Sequence, residues 1–221
     1  SEFFKIKVNI NREENIILAL PKGRILSDLM PLLKKLAIEI ESEFLQANTR
    51  KLLFSTNISF LKVIICRSYD IATLVSYGAA DLGIAGLDVI EEFQYNNLTI
   101  TNDLNIGKCK FSVAGKSNFN FYEKENLIVA TKYPNLTKSF FSNINKKIET
   151  IKLNGSIELA VNLGLCDVIA DLVSSGKTLK ENNLVEKEVI LNITSKLIAN
   201  NNSIVTNNKQ MLDIIKRFTN E

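Results

Sequence analysis

The stretch VIADLVSSGKTL, residues 168–179, combines an acid, three hydroxyls, a glycine and a lysine within eight positions. It closes in Gly176-Lys177-Thr178, as a Walker A phosphate loop does, but that loop needs a glycine five residues before Gly176, and Asp171 stands there. A carboxylate at that point repels the phosphates the loop is built to wrap, so a P-loop ATPase is disfavoured. A different chemistry suits these residues. An apolar strand ending in an acid, followed by a short Ser/Gly/Thr turn that opens a helix, offers one phosphate monoester free amides, a helix dipole and the hydroxyls of Ser174, Ser175 and Thr178. Asp171 then reaches neutral hydroxyls of the same ligand, and a ribose 5-phosphate has both parts at about that separation. The same residues also spell a plain strand–turn–helix with a serine cap.

The chain has 221 residues and no histidine. That removes the commonest general base, every Ser-His or Cys-His nucleophile and the favoured metal ligand. Chemistry here must run on carboxylates, Lys, Arg, hydroxyls, backbone amides or a bound cation. Cys66, Cys109 and Cys166 are isolated, which suggests neither a zinc site nor a disulfide framework; Cys109 and Cys166 read as packing residues, and a reducing cytoplasm is the expected home. With 27 Lys+Arg against 24 Asp+Glu the net charge is +3, too mild to argue for nucleic acid. No apolar run approaches a membrane span, and the opening residues lack a signal-peptide pattern, so no membrane association is expected.

Alternating short apolar runs and amphipathic stretches carry the grammar of βαβ units. Strands are expected at 16–20, 61–66, 81–86, 127–131, 167–171, 189–193 and 196–199, and Phe4, Ile6, Val8 and Ile10 alternate as an added strand would. Pro21-Lys22-Gly23-Arg24 follows the first strand, and Pro31 should kink the helix beyond it or delay its start. Asp70, Asp88 and Ser156 are candidate helix caps. Laying DIATLVSYGAADLGIAG over SIELAVNLGLCDVIADL matches Ile71 with Ile157, Gly78 with Gly164 and Asp81 with Asp167. Two similarly built lobes with a cleft between them would explain the match, as would the punctuation common to any two βα units. Linkers between lobes are expected near 95–103 and 180–190.

Several motifs in order make the chain resemble the short form of the ATP phosphoribosyltransferase family: ALPKGRIL (19–26), the Arg-Lys of NTRKLLF (48–54), RSYDIATLVSYGAADLGIAGLDVIEE (67–92), DLNIGKCKFSVA (103–114), VATKYPNLTKSFF (129–141) and IKLNGSIELAVNLGLCDVIADLVSSGKTL (151–179). The resemblance runs from about Ile16 to the tail and leaves the first fifteen residues uncovered. Ala72 and Val161 stand where proline is expected, and Ser175 where threonine is common.

The resemblance implies an α/β fold of two lobes resembling a type II periplasmic binding protein, with the active site in the interlobe cleft. Residues 1–97 and 188–221 would form lobe I on the ATP side, and 98–187 lobe II. The implied reaction joins N1 of the adenine of ATP to C1 of 5-phosphoribosyl 1-pyrophosphate with loss of pyrophosphate, the first step of histidine biosynthesis. Mg²⁺ is the implied cofactor, with its ligands unassigned. Ser174, Ser175, Gly176, Lys177 and Thr178 would hold the 5-phosphate and Asp171 the ribose hydroxyls, with Glu158 and Asp167 as further ribose or cation contacts. For those last two, helix solvation and strand capping are equal alternatives. Lys22, Arg24 and Arg50 would meet pyrophosphate or the ATP phosphates, and Gly23, Arg67, Gly83 and Gly86 would border the adenine nucleotide; Lys132 and Tyr133 occupy the matching post-strand position of the second lobe. Taken without the resemblance, each cation reads as a solvated surface charge. The implied partners are a second copy of the chain and a histidyl-tRNA-synthetase-like regulatory subunit, since the chain stops where longer relatives continue. A non-catalytic bilobal binding protein for a phosphorylated solute is the rival.

Overall fold

The first apolar run becomes β1 (Ile16–Pro21), and Ile16–Leu20 are at most 4% exposed. Such burial on both faces marks a central parallel strand. The computed structural model describes residues 11, 12 and 14–219, so the alternation at Phe4–Ile10 lies outside the described residues. α1 (Arg24–Lys35) packs on β1 and runs through Pro31 without a late start. A missing proline N–H removes one helical hydrogen bond, and the buried stripe of Leu29 and Leu33 holds the helix regardless. β2 (Leu53–Ser55), β3 (Leu61–Cys66), α2 (Ile71–Ser76), β4 (Leu82–Gly86), α3 (Leu87–Phe93) and β5 (Leu98–Asp103) follow. Next come β6 (Cys109–Gly115), β7 (Leu127–Thr131), α4 (Pro134–Asn143), β8 (Ile148–Lys152), α5 (Leu159–Asn162), β9 (Val168–Val173) and α6 (Lys177–Glu181). The chain finishes through β10 (Val185–Ile193), β11 (Ser195–Asn200), α7 (Asn201–Thr206) and α8 (Asn208–Thr219).

These elements make two sheets, ordered β2-β3-β1-β4-β11-β5 and β10-β6-β9-β7-β8. Two units result: residues 1–85, 95–104 and 196–221, and residues 86–94 and 105–195. The divisions therefore differ from those expected at 97/98 and 187/188. β5 pairs antiparallel with β11 and stays with the first sheet, while all of β10 pairs with β6 in the second. α3 packs against α4 and joins the second unit. The segments expected as linkers are largely strands.

Each unit contains the same core device. β1 lies between β3 and β4, parallel to both, as β7 lies between β8 and β9. Gly78 (φ 76°) and Gly164 (φ 75°) end the corresponding helical segments in the left-handed region that favours glycine. Three residues later Asp81 and Asp167 clasp the central strand. The Asp81 carboxylate accepts from Ile17 N (2.8 Å) while its own amide donates to Ile17 O (2.9 Å). Asp167 does the same with Ile128, at 2.8 and 2.9 Å. Each acid also meets a cation, Arg12 at 3.0 Å and Lys124 at 2.7 Å. The sequence repeat thus reflects one construction used twice.

The expected caps fare differently. Asp70 occupies the N-cap of α2 but makes no capping bond, and a 3₁₀ turn over Ser68–Asp70 precedes it. Asp88 sits inside the first turn of α3, whose N-cap is Gly86. Ser156 adopts φ 52° in a tight turn, and α5 begins only at Leu159 with Glu158 before it.

The two clasps differ in depth: the Asp81 side chain is 3% exposed and also accepts from the Ser203 hydroxyl at 2.7 Å, whereas Asp167 is 18% exposed. Asp81→Ala leaves a buried amide and hydroxyl without their acceptor and frees the partly exposed Arg12 guanidinium, and is expected to cost about 2–4 kcal/mol. Asp167→Ala should cost roughly 1–2 kcal/mol. Urea unfolding followed by circular dichroism measures both, and equal losses would contradict the burial difference.

Candidate active site

In the first unit, the strand register gathers the predicted cations. β1 and β3 pair in parallel up to Pro21↔Cys66, so Lys22 and Arg67 leave the sheet side by side. β2 runs antiparallel to β3 with Leu53 opposite Ile64, and Ile65 N still donates to Leu52 O. Carrying that register back sets Arg50 level with Arg67. Lys22, Arg50 and Arg67 are exposed, and among the described residues they have no side-chain hydrogen bond or ion pair. Arg24 opens α1 from the same loop. Gly23, its N-cap, has φ 88° and ψ −148°, a region essentially restricted to glycine. The loop conformation that presents Lys22 and Arg24 therefore requires that residue.

Gly83 and Gly86 have structural requirements of their own. A Cβ at Gly83 would lie 2.6 Å from Ile71 and 2.8 Å from Val75, so the bare backbone lets α2 lie against β4. At Gly86 a Cβ would collide with the Asp88 carboxylate. Cys66, at the end of β3, has its thiol pushed up to about 11 by burial and by Asp70, against the pull of Lys22. It is no nucleophile.

The second unit holds the carboxylates and the loop. β9 does not end at Asp171 but continues to Val173, so the acid lies within the strand, opposite Ser112 of β6. Asp171 is half-buried, and its Oδ1 accepts from Leu172 N at 2.8 Å. Its pKa is raised to about 6, chiefly by burial; Leu172 N–H and Lys132 oppose the rise and Glu158 adds to it. Glu158 and Asp171 are thus brought together, and Lys132 joins them. The β7–β9 register, Thr131↔Ala170, sets Lys132 level with Asp171. Sequence position alone does not reveal this neighbour of Lys132; the strand pairing does.

Ser174–Gly176 form the bend after β9. Gly176 takes φ 76° at the N-cap of α6, with nothing near the place a Cβ would occupy, so backbone conformation alone demands glycine. Ser174, Ser175, Lys177 and Thr178 are exposed, and Ser175 Oγ accepts from Lys177 N at 3.3 Å. α6 has only five residues, so its dipole adds less than expected, and the loop amides and hydroxyls carry any anion binding.

Asp167 takes the capping alternative: both its carboxylate oxygens are engaged by Lys124 and Ile128 N. Tyr133 is also structural, being 4% exposed, donating to Asp88 Oδ2 at 2.7 Å and packing edge-to-face on Phe111. Desolvation raises the Asp88 pKa despite that bond. Glu92, likewise raised by burial, receives the amides of Asn135 (3.0 Å) and Leu136 (2.8 Å) at the start of α4. That distant cap left no local signal in the sequence.

The ATP phosphoribosyltransferase family model matches residues 67–220, spanning the loop, Glu158, Asp171 and Arg67. The chain belongs to this family. It is 45% identical over 208 residues to the ATP phosphoribosyltransferase of Novosphingobium aromaticivorans, covering 92% of this chain and 93% of that one. With the Rhodospirillum rubrum enzyme it shares 44% over 209 residues, 93% and 92% of the two chains. Among solved structures it is similar to a chain of the ATP phosphoribosyl transferase (HisG:HisZ) complex from Thermotoga maritima, with TM-score 0.79, 28% identity and coverage of 92% and 96%. The substrate-binding protein of an amino acid ABC transporter matches with TM-score 0.57 at 14% identity, covering 92% and 90%, a likeness of fold alone. The family thus has the α/β fold of a periplasmic binding protein without that likeness carrying its function.

Folded Asp171 keeps its proton to about pH 6, whereas an unfolded aspartate releases it near 3.9. The group therefore favours the folded chain most below about pH 4, and that contribution is lost as pH rises through 6. Relative to wild type, Asp171→Asn should gain about 2 kcal/mol of unfolding free energy between pH 4 and pH 7. Urea titrations across that range test this; a difference independent of pH would mean that Asp171 is solvated.

Proposed function

We infer that this chain catalyses the transfer of a phosphoribosyl group to ATP. The adenine N1 attacks C1 of 5-phosphoribosyl 1-pyrophosphate, the C1–O bond breaks, and its electron pair leaves on pyrophosphate. This is the first step of histidine biosynthesis. The observation that carries the reading is the segment from Asp171 to Thr178, within the matched family region, with Glu158 and Lys132 drawn to Asp171.

N1 already bears a lone pair, so the attack needs neither a strong base nor a covalent enzyme intermediate, and the lack of histidine is no obstacle. The barrier lies in separating a highly charged leaving group from an oxocarbenium-like C1, which fixed positive charge lowers. Lys22, Arg24 and Arg50 serve that purpose in this reading, and Gly23 and Arg67 adjoin the adenine nucleotide. Ser174, Ser175, Gly176, Lys177 and Thr178 hold the 5-phosphate. Asp171, mainly ionised at neutral pH, accepts from the ribose hydroxyls.

Among the described residues no cluster of three metal-ligating side chains occurs. Mg²⁺ does not need one, because it keeps several waters and binds substrate phosphates with one or two carboxylates. Asp171, whose ionisation the Glu158 carboxylate makes more costly, and Glu158 beside it fit that role. Mg²⁺ held there would add positive charge beside the departing pyrophosphate.

The same reading includes a cytoplasmic location, self-association and a histidyl-tRNA-synthetase-like regulatory partner, in which histidine feedback would reside as a coupling between sites. The Thermotoga structure, whose name describes a HisG:HisZ complex, supports such a partner. No helix among the described residues is long and apolar enough to cross a membrane.

The purified chain, given ATP, phosphoribosyl pyrophosphate, Mg²⁺ and pyrophosphatase, is expected to yield N1-phosphoribosyl-ATP by mass spectrometry only when both substrates are present. Absence of product even with the regulatory partner added would reject the reading. Arg24→Ala and Arg50→Ala should each lower kcat by roughly 100-fold. A change confined to KM would instead indicate uniform binding of ground and transition states. Asp171→Ala should weaken phosphoribosyl pyrophosphate binding by about ten-fold or more in calorimetry, the loss expected for hydrogen bonds to a charged acceptor.

A further inference from the structure

The phosphate loop of the second unit borders a cavity of about 490 Å³ whose walls include Ser174, Ser175 and Gly176 together with Lys110 and Glu186. Lys110 lies on β6, opposite Val173, the residue that leads into the loop. Residues directly opposed in an antiparallel pair share a face with Cβ atoms about 5 Å apart. Lys110 therefore stands on the same sheet face as the root of the loop, and Ser112, two pairs along, shares that face with Asp171.

The ammonium of Lys110 is fixed by Glu186 Oε1 at 2.7 Å, and Glu186 Oε2 accepts from the hydroxyl of fully buried Ser112 at 3.0 Å. Both oxygens of Glu186 are thus engaged by β6 side chains, which makes a carboxylate tolerable on the wall of an anion site. Only one of the three ammonium donors of Lys110 is spent on Glu186, and the side chain remains 39% exposed. The result is an oriented cation with donors to spare, in the cavity bordered by the loop. We propose that Lys110 is a further binding residue for the 5-phosphate of the ribosyl donor, with Glu186 as the positioning residue that holds its ammonium. The proposal deepens the assignment of Ser174–Thr178 to that phosphate and rests on it.

Calorimetric titration of the full chain with ribose 5-phosphate and, separately, pyrophosphate tests the proposal. Lys110→Met should weaken ribose 5-phosphate by roughly ten-fold or more, the weight of one charge-assisted hydrogen bond, and leave pyrophosphate within about two-fold. Lys110→Arg should restore most of the loss. Because Lys110→Met also uncovers Glu186, the double variant Lys110→Met/Glu186→Gln separates contact from repulsion. Persistent weakness there supports contact, while recovery to wild-type affinity overturns the proposal. Unchanged ribose 5-phosphate affinity in Lys110→Met overturns it as well, leaving the loop assignment standing. A wild-type chain that does not bind ribose 5-phosphate rejects the loop assignment, and the proposal with it.

Discussion

An aspartate that grips the amide of a neighbouring strand sets the geometry of both units. Asp81 and Asp167 each arrive after a helical segment and a left-handed glycine, and each locks the strand it opens against the central one. A one-residue slip would turn every side chain of a strand to the other face. With the slip prevented, the strand ends fall level, and level ends bring together residues far apart in sequence. Lys132 comes level with Asp171 by this route, while Lys22 comes level with Arg67 through the separate β1–β3 register.

The two strand-end groups have opposite electrostatic character. In the first unit Lys22, Arg50 and Arg67 stand without side-chain hydrogen bonds or ion pairs among the described residues. In the second, burial and the Glu158 carboxylate raise the cost of ionising Asp171 beside a loop of hydroxyls and amides. Polyanionic substrates suit the first kind of surface, and a sugar with a phosphate tail suits the second. Fixed charges of this kind need no reorganisation during reaction, which is how a chain without histidine can manage the displacement.

Much of this was legible in the sequence. Every expected strand among the described residues is present, because buried parallel strands read as unbroken apolar runs bounded by turn residues. The Gly-x-x-Asp repeat marked the clasps, and the loop after β9 was visible as a run of small and hydroxylated residues. What failed had no local signature. Asp88 and Asp70 looked like caps because capping propensity is local, yet Asp88 is claimed by Tyr133, forty-five positions away. Glu92 caps a helix it does not belong to. At Gly83 and Gly86 the close approach of α2 and of Asp88, which the sequence does not show, is a packing requirement separate from any ligand. The unit boundaries were misplaced because β5 and β10 belong to sheets that sequence distance does not reveal.

The position of β11 within the first sheet has a consequence for the birth of the chain. This strand lies between β4 and β5, yet it is the last strand of the described chain. A ribosome therefore delivers every strand of the second sheet before the first sheet can be completed. Until β11 emerges, β4 presents a bare hydrogen-bonding edge and β5 has no strand to join. Nascent chains carry their aggregation hazard at such edges. In this protein the hazard belongs to the unit whose synthesis starts first and whose sheet closes last.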